Sequence, residues 1–501
     1  MFLAIAILVQ LFVLIGVILK FQEYFVLFYA LSILISIIVV LAIINNHINP
    51  VYKMAWIIPI LLFPIFGGLF YIFFGGKKLG KRAKNKMKSI EERTKKALPR
   101  QDLVLEEMKK EDELAANQSS YIQNYAFSPP YNKTKAEYLT IGELKFERLK
   151  EELKKAKNYI FLEYFIIEEG EMWNSILDIL VEKAAEGVDV RVIYDDVGCL
   201  FTLPYKYDEK LEKMGIKCSV FNPLTPILSS TFNNRDHRKI AIIDGHTGFT
   251  GGINLADEYI NEIEKYGHWK DSAIILKGEG VWSMTVMFLS MWDYLRGIEE
   301  DFREFKYDKK LELDNVKGNN GYIQPFADSP LDDETVGEVV YLNLINKAKR
   351  YVYITTPYLI IDNEMVTALS SAAKAGVDIR IITPYHADKW YVHAVTRSYY
   401  KILIESGVKI YEYLPGFIHS KTYISDDEYG VVGTINMDYR SLYLHFECGV
   451  WMYNSSAIAE MKEDFLNTLK ECKEITIEDF NDTRWYEALG RSVLRVFAPL
   501  M

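Results

Sequence analysis

His237-Arg238-Lys239-Ile240-Ala241-Ile242-Ile243-Asp244 and His419-Ser420-Lys421-Thr422-Tyr423-Ile424-Ser425-Asp426 lie 182 residues apart, and both read H-x-K-x-x-x-x-D. Each is followed by a glycine-containing turn and a G-x-x-N element, Gly251-Gly252-Ile253-Asn254 in the first copy and Gly433-Thr434-Ile435-Asn436 in the second. On an extended strand side chains alternate, so His237 shares a face with Lys239 and His419 with Lys421. The aspartate at offset seven points the other way and lies roughly 23 Å along a straight strand, out of reach of its own octet's histidine. Asp244-Gly245 reads as a hairpin turn and Asp426-Asp427-Glu428-Tyr429-Gly430 as a longer one. Both aspartates stay among the candidate catalytic residues as members of the motif, with turn-holding as the role their position favours.

The frame around the octets is duplicated too. Lys155-Ala156-Lys157-Asn158-Tyr159-Ile160-Phe161-Leu162 matches Lys347-Ala348-Lys349-Arg350-Tyr351-Val352-Tyr353-Ile354, a helix end running into a strand rich in aromatic and β-branched residues. Helical stretches then close at Gly187 and Gly376, each before an apolar strand, which is the mark of a β-α-β unit. A further helix and short strand follow (Lys217 to Asn222; Val408 to Leu414), and then the octet. Four matched elements in one order predict an α/β fold of two repeats, mixed sheets flanked by helices, at 134–305 and 321–480, with one site where they meet. Residues 306–320 are the expected linker.

Residues 1–76 hold three apolar runs, Phe2 to Leu19, Phe25 to Ile44 and Met54 to Phe74, each near the length that crosses a bilayer core. No basic residue precedes the first run and no A-x-A-like site follows it, which argues against a cleaved signal peptide. The first run either spans or lies in the interface, because only Lys20 to Tyr24 separates it from the second. Lys77-Lys78, Lys81-Arg82, Lys84, Lys86 and Lys88 then give seven basic residues with no acid among them. Such a block sets the chain that follows on the cytoplasmic side of a cell membrane and favours anionic lipid. Residues 77–133 read as this collar plus a charged connector, and 481–501 as a C-terminal amphipathic helix with Trp485, Leu489, Val493 and Phe497 on one face. The formal net charge of -10 offers no basic field for nucleic acid. Cys199, Cys218, Cys448 and Cys472 show no C-x-x-C spacing and suit a reducing compartment.

Two imidazoles, two ammonium groups and the amides of Asn254 and Asn436 around one cavity suit a phosphodiester. The lysines and asparagines hold the non-bridging oxygens, one histidine attacks phosphorus and the other protonates the leaving alcohol. With lysines supplying the positive charge, neither metal nor cofactor is called for. Each histidine needs a partner on its second ring nitrogen. Asp271, in His268-Trp269-Lys270-Asp271, and Glu447, in His445-Phe446-Glu447, are the candidates, expected on neighbouring strands. His47, His246, His268, His386, His393 and His445 read as ordinary structural histidines.

The paired octets with their G-x-x-N followers resemble the phospholipase D superfamily, whose H-x-K-x4-D motifs form one active site between two halves. More narrowly, the chain is similar nearly end to end to bacterial cardiolipin synthases. Asn49-Pro50-Val51-Tyr52-Lys53-Met54-Ala55-Trp56 through Tyr71-Ile72-Phe73-Phe74-Gly75 resembles their membrane segment. Glu163-Tyr164-Phe165-Ile166-Ile167 and Thr356-Pro357-Tyr358 resemble their strand ends, and Arg495-Val496-Phe497-Ala498-Pro499-Leu500 their ending. The resemblance implies conversion of two phosphatidylglycerols to cardiolipin and glycerol through a phosphatidyl-histidine, with His237 as nucleophile and His419 as acid, then base. It departs from the family at His445-Phe446-Glu447, where an asparagine-led version is expected. A membrane-anchored phospholipase D-type hydrolase shares the first step and is the alternative. The sequence does not fix the oligomeric state.

Overall fold

A computed structural model of the chain describes residues 10–16, 22–46, 49–75, 81–224, 233–307, 321–332, 334–480, 490 and 493–498. It divides into two compact units, one made chiefly of residues 1–78 and one of the remaining body.

In the larger unit the first half contributes β1 (Thr134–Leu139), β2 (Tyr159–Tyr164), β3 (Asp189–Asp195), β4 (Lys217–Phe221), β5 (Lys239–Ile243), β6 (Thr247–Gly251), β7 (His268–Lys270) and β8 (Ala273–Gly278). The second contributes β9 (Tyr322–Asp328), β10 (Tyr351–Thr355), β11 (Leu359–Ile360), β12 (Asp378–Pro384), β13 (Lys409–Tyr413), β14 (Gly416–Ile418), β15 (Thr422–Ser425), β16 (Tyr429–Gly433), β17 (Met437–Asp438), β18 (Glu447–Tyr453) and β19 (Cys472–Ile475). The first sheet has the order β1-β8-β6-β5-β2-β3-β4. The second runs β9-β18-β16-β15-β10-β12-β13-β19, the same order with one strand added. In both, three strands joined through helices pair in parallel and the octet strand pairs antiparallel beside them.

The octet strands are apolar on both faces because both faces are covered. In β5 the alternation sends Ile240 and Ile242 into a core shared with Ile424, Val432 and Val450 of the second sheet. Ala241 and Ile243 pack instead with Trp173, Ile176 and Leu180 of the helix Glu171–Ala185. The two sheets therefore meet face to face. The turns at the octet ends have left-handed backbone at Asp244 (φ 51°) and Gly245 (φ 66°), and at Asp426 (φ 57°) and Asp427 (φ 65°). At Gly245 a side chain would also strike the Tyr159 hydroxyl, so glycine is required there twice over.

The connector after the basic block is helical. Helices at Lys81–Ala97, Asp102–Glu111 and Glu113–Tyr125 are fastened to the catalytic body, through Trp282 Nε1 donating to the Ala97 carbonyl (2.9 Å), an Arg93–Asp293 ion pair and Ser119 Oγ donating to Gln324 (2.7 Å). In the smaller unit, Met54 to Phe74 is not one continuous helix. Helices Pro50–Leu62 and Gly67–Phe74 are separated at Pro64, whose carbonyl accepts from Ser36 Oγ (2.6 Å). Among the described residues one helix, Gln22–Ile44, holds a stretch long and apolar enough to cross a membrane, Val26–Ile44 with mean hydropathy 3.0. The run Phe2 to Leu19 lies mostly outside the described residues, as do the linker and the C-terminal helix with Trp485 and Leu489.

Candidate active site

The site is built by exchange between the halves. Just before β5 the chain pairs with the segment leading into β18. His237 N donates to the Phe446 carbonyl (2.9 Å) and Phe446 N to the Arg235 carbonyl (2.8 Å). Just after β14, which pairs in parallel with β7, His419 N donates to the Lys270 carbonyl (2.7 Å). In each case the next residue along the partner segment is a carboxylate. Glu447 thereby meets His237 Nδ1 at 2.8 and 3.0 Å, and Asp271 meets His419 Nδ1 at 2.7 Å. The candidate carboxylates thus lie against the histidines, but crosswise: each half supplies the partner for the other half's imidazole.

Both couples are buried, with the His237 and His419 side chains 9% and 8% exposed and both carboxylates fully enclosed. A carboxylate on Nδ1 fixes the tautomer and leaves Nε2 as the reactive nitrogen. The two carboxylates are accommodated differently. Thr434 Oγ1 donates to Glu447 Oε2, whereas the equivalent Gly252 has no room for a side chain, since a Cβ there would lie 2.1 Å from Asp271 Oδ1. Phe165 stands edge-on to His237 at 5.1 Å, and Phe417, Trp269 and Tyr259 box in His419 at 5.5–5.9 Å.

Lys239 and Lys421 repeat one arrangement, each ammonium donating back to the carbonyl of its own octet's histidine. Burial lowers their proton affinities to about 8 and about 7. Burial, then Lys421, lowers that of His419 to about 4, and burial, then Lys239, holds His237 well below the ordinary imidazole range. Burial also raises Glu447 well above the usual carboxylate range. A pocket that disfavours added positive charge on four bases is one that an anionic ligand would relieve.

The aspartates at offset seven hold backbone amides at the turns. Asp244 accepts from the amides of Lys157, Asn158 and Tyr159 at 2.7–2.9 Å, and Asp426 from those of Lys349, Arg350 and Tyr351 at 2.6–2.9 Å. Both sit at the far ends of their strands, tying the turn to the start of the neighbouring strand, because an extended strand carries them away from the imidazoles. Asn254 Oδ1 accepts from Ile166 N (3.0 Å) and its Nδ2 donates to the Tyr259 hydroxyl (2.7 Å), so the amide steadies the wall beside His419. Asn436 Oδ1 is buried without a hydrogen-bond partner among the described residues.

Sequence reasoning passed over three features. Arg238, between the octet's His237 and Lys239, is buried against Glu163 (2.5 Å) and Asp236 (3.1 Å). Thr434, inside a G-x-x-N element, reaches Glu447. His445, read as structural, has its ring 5.6 Å from that of His237; only its place two residues before Glu447 could have signalled this. His237, His445 and Glu447 bring metal-capable atoms within 4.8 Å of one another. Arg440, Lys239, Arg235 and Lys389 all act on His445, however, and that cationic ring makes the group a poor cation site.

Two repeats that each place a carboxylate on the other's histidine define a two-half phospholipase D-like fold. A phosphatidylserine synthase from Haemophilus influenzae has that fold, with a TM-score of 0.55 at 17% identity over 75% of this chain and 96% of its own. The family model described as cardiolipin synthase, PLD-like domain matches residues 149–286 and 341–469, and one described as phospholipase D-nuclease N-terminal matches 33–76. Similar proteins include a cardiolipin synthase of Halalkalibacterium halodurans (34% identity, 94% of both chains) and cardiolipin synthase 2 of Bacillus anthracis (35%, 91% of this chain and 88% of that one). An uncharacterized protein of Streptococcus mutans is 44% identical over 92% of this chain and 99% of its own. The chain belongs to the cardiolipin synthase family of phospholipase D-like proteins.

Proposed function

We propose that this chain, a phosphatidyltransferase acting on phospholipid, joins two phosphatidylglycerols into cardiolipin and releases glycerol. The crosswise histidine–carboxylate couples, each beside a lysine, carry the reading. His237 Nε2 attacks the phosphorus of the donor, and the bond to its headgroup glycerol breaks as His419, which takes up a proton on Nε2 once the donor's anion offsets the neighbouring lysines, delivers that proton to the leaving oxygen. Lys239 and Lys421 hold the non-bridging oxygens, and Glu447 takes up the positive charge that develops on His237. The neutral His419 then removes a proton from the terminal hydroxyl of the second phosphatidylglycerol, whose oxygen attacks phosphorus and frees His237. One phosphodiester replaces another, so no nucleotide is consumed. The order of the histidines follows the family resemblance.

Helix Gln22–Ile44 and the basic block Lys77 to Lys88 support an anchored enzyme with its catalytic body on the cytoplasmic side. On this reading residues 1–76 belong to the bilayer, 134–305 and 321–480 are the two half-sites, and phospholipid rather than nucleic acid is the partner. Such an anchor keeps the phosphatidyl-enzyme near lipid hydroxyls, with water as the competing acceptor. Purified full-length protein with phosphatidylglycerol vesicles and a chelator is expected to yield cardiolipin and glycerol, and acid-labile label from the donor should map to His237. Phosphatidic acid without cardiolipin would instead make it a hydrolase, and an absolute metal requirement would overturn the lysine-based charge argument.

A further inference from the structure

His445 is buried to the same degree as the catalytic histidines, its side chain 10% exposed, yet neither ring nitrogen has a hydrogen-bond partner among the described residues. The nearest carboxylate oxygen, Glu447 Oε1, is 3.9 Å from Nδ1 and already engaged by His237. An enclosed imidazole without a partner is costly unless a ligand completes it. The position is built, not incidental: a turn closed by His445 N and Leu444 N on the Arg440 carbonyl fixes the histidine over the helix Tyr439–Tyr443, 5.6 Å ring to ring from His237.

Its surroundings are positive. After burial, the charges of Arg440, Lys239, Arg235 and Lys389 hold His445 far below the ordinary imidazole range, so it stands as a neutral N–H donor in a cationic well. Lys239 belongs to the phosphate under attack, and Arg235 is paired with Asp195 at 3.4 Å. Arg440 and Lys389, both from the second half, are the other cations that act on His445.

Joining two phospholipids brings two phosphodiester anions into one enclosed pocket, where their repulsion is strong and each needs its own cations. Three carbons of headgroup glycerol separate the acceptor's phosphate from its attacking hydroxyl, a span that matches a site one imidazole removed from His237. We infer that His445, Arg440 and Lys389 form an anion site for the phosphodiester of the acceptor phospholipid. The site rests on the transfer reading above, and it sets lipid apart from water as acceptor, because water has no phosphate to bind.

Full-length enzyme in phosphatidylglycerol vesicles with acyl-labelled donor gives two products to count, cardiolipin from the lipid acceptor and phosphatidic acid from water. The variants His445→Ala, Arg440→Gln and Lys389→Gln are each expected to lower the cardiolipin to phosphatidic acid ratio about tenfold, the loss of one charge-assisted contact. His445→Gln, which keeps an N–H donor, should fall between His445→Ala and wild type. The ratio is taken on the same folded, turning-over molecules, so partial misfolding does not move it. Parallel loss of both products, or an unchanged ratio, would overturn the acceptor site. Absence of cardiolipin from the wild-type enzyme would instead sink the transfer reading, and the site with it.

Discussion

At the scale of single residues, the carboxylate behind each imidazole is the sharpest determinant. Glu447→Gln removes the group that orients His237 and balances its charge while preserving shape, and Asp271→Asn does the same for His419. Each is expected to lower kcat by roughly two to four orders of magnitude with little change in KM. The double variant should fall far short of the product of the two losses, because the couples act as one unit. Steady-state kinetics on phosphatidylglycerol vesicles, with circular dichroism to confirm folding, decides it; a mainly KM effect would count against the orienting role. The motif aspartates behave differently. Asp244→Ala strands three amides and is expected to cost about 2 kcal/mol of stability, with activity per folded molecule nearly preserved. A thermal melt beside kcat on the folded fraction separates the two effects.

At the scale of elements, the helices from Lys81 to Tyr125 show what composition leaves out. Their charged, helix-favouring residues suit a connector, and beyond that Arg93 reaches the fully buried Asp293 of the helix Val281–Arg296, which also accepts from Glu300 N at 3.0 Å. Arg93→Ala leaves that carboxylate enclosed without its cation. A loss of about 3 kcal/mol is expected, read as a lower melting temperature of the whole catalytic body. If the segment were only a tether, the melt would not move. The octet strands show the opposite case, since alternation, turn residues and the flanking glycines all agree with the strands observed. The small pairs β7 with β14 and β11 with β17 had no such signal, being two or three residues long and made between distant parts of the chain.

At the scale of the molecule, three buried histidines, His237, His419 and His445, all bind protons less readily when folded than when free. The unfolded chain therefore takes up protons first as pH falls. For His419, whose affinity drops from 6.5 to about 4, folding stability is intact above pH 6.5 and is lost progressively down to about pH 4. The loss from this group reaches at most about 3 kcal/mol. Melting temperatures measured from pH 7.5 to 4.5 should fall with acid, and His419→Gln should flatten the slope; an equal slope in the variant would refute the assignment.

What the sequence determined by itself was the repeated frame, the histidine and lysine of each octet and the family they resemble, because these depend on periodicity and spacing within a few dozen residues. The exchange of Glu447 and Asp271 between halves, the contacts of Asn254 with Ile166 and Tyr259 and the approach of His445 to His237 were decided only by tertiary structure. Each arises from contacts between segments far apart in the chain, 210 residues for His237 with Glu447 and 148 for His419 with Asp271. Spacing along one strand records which way a side chain faces, and only the packing of two sheets records what it faces.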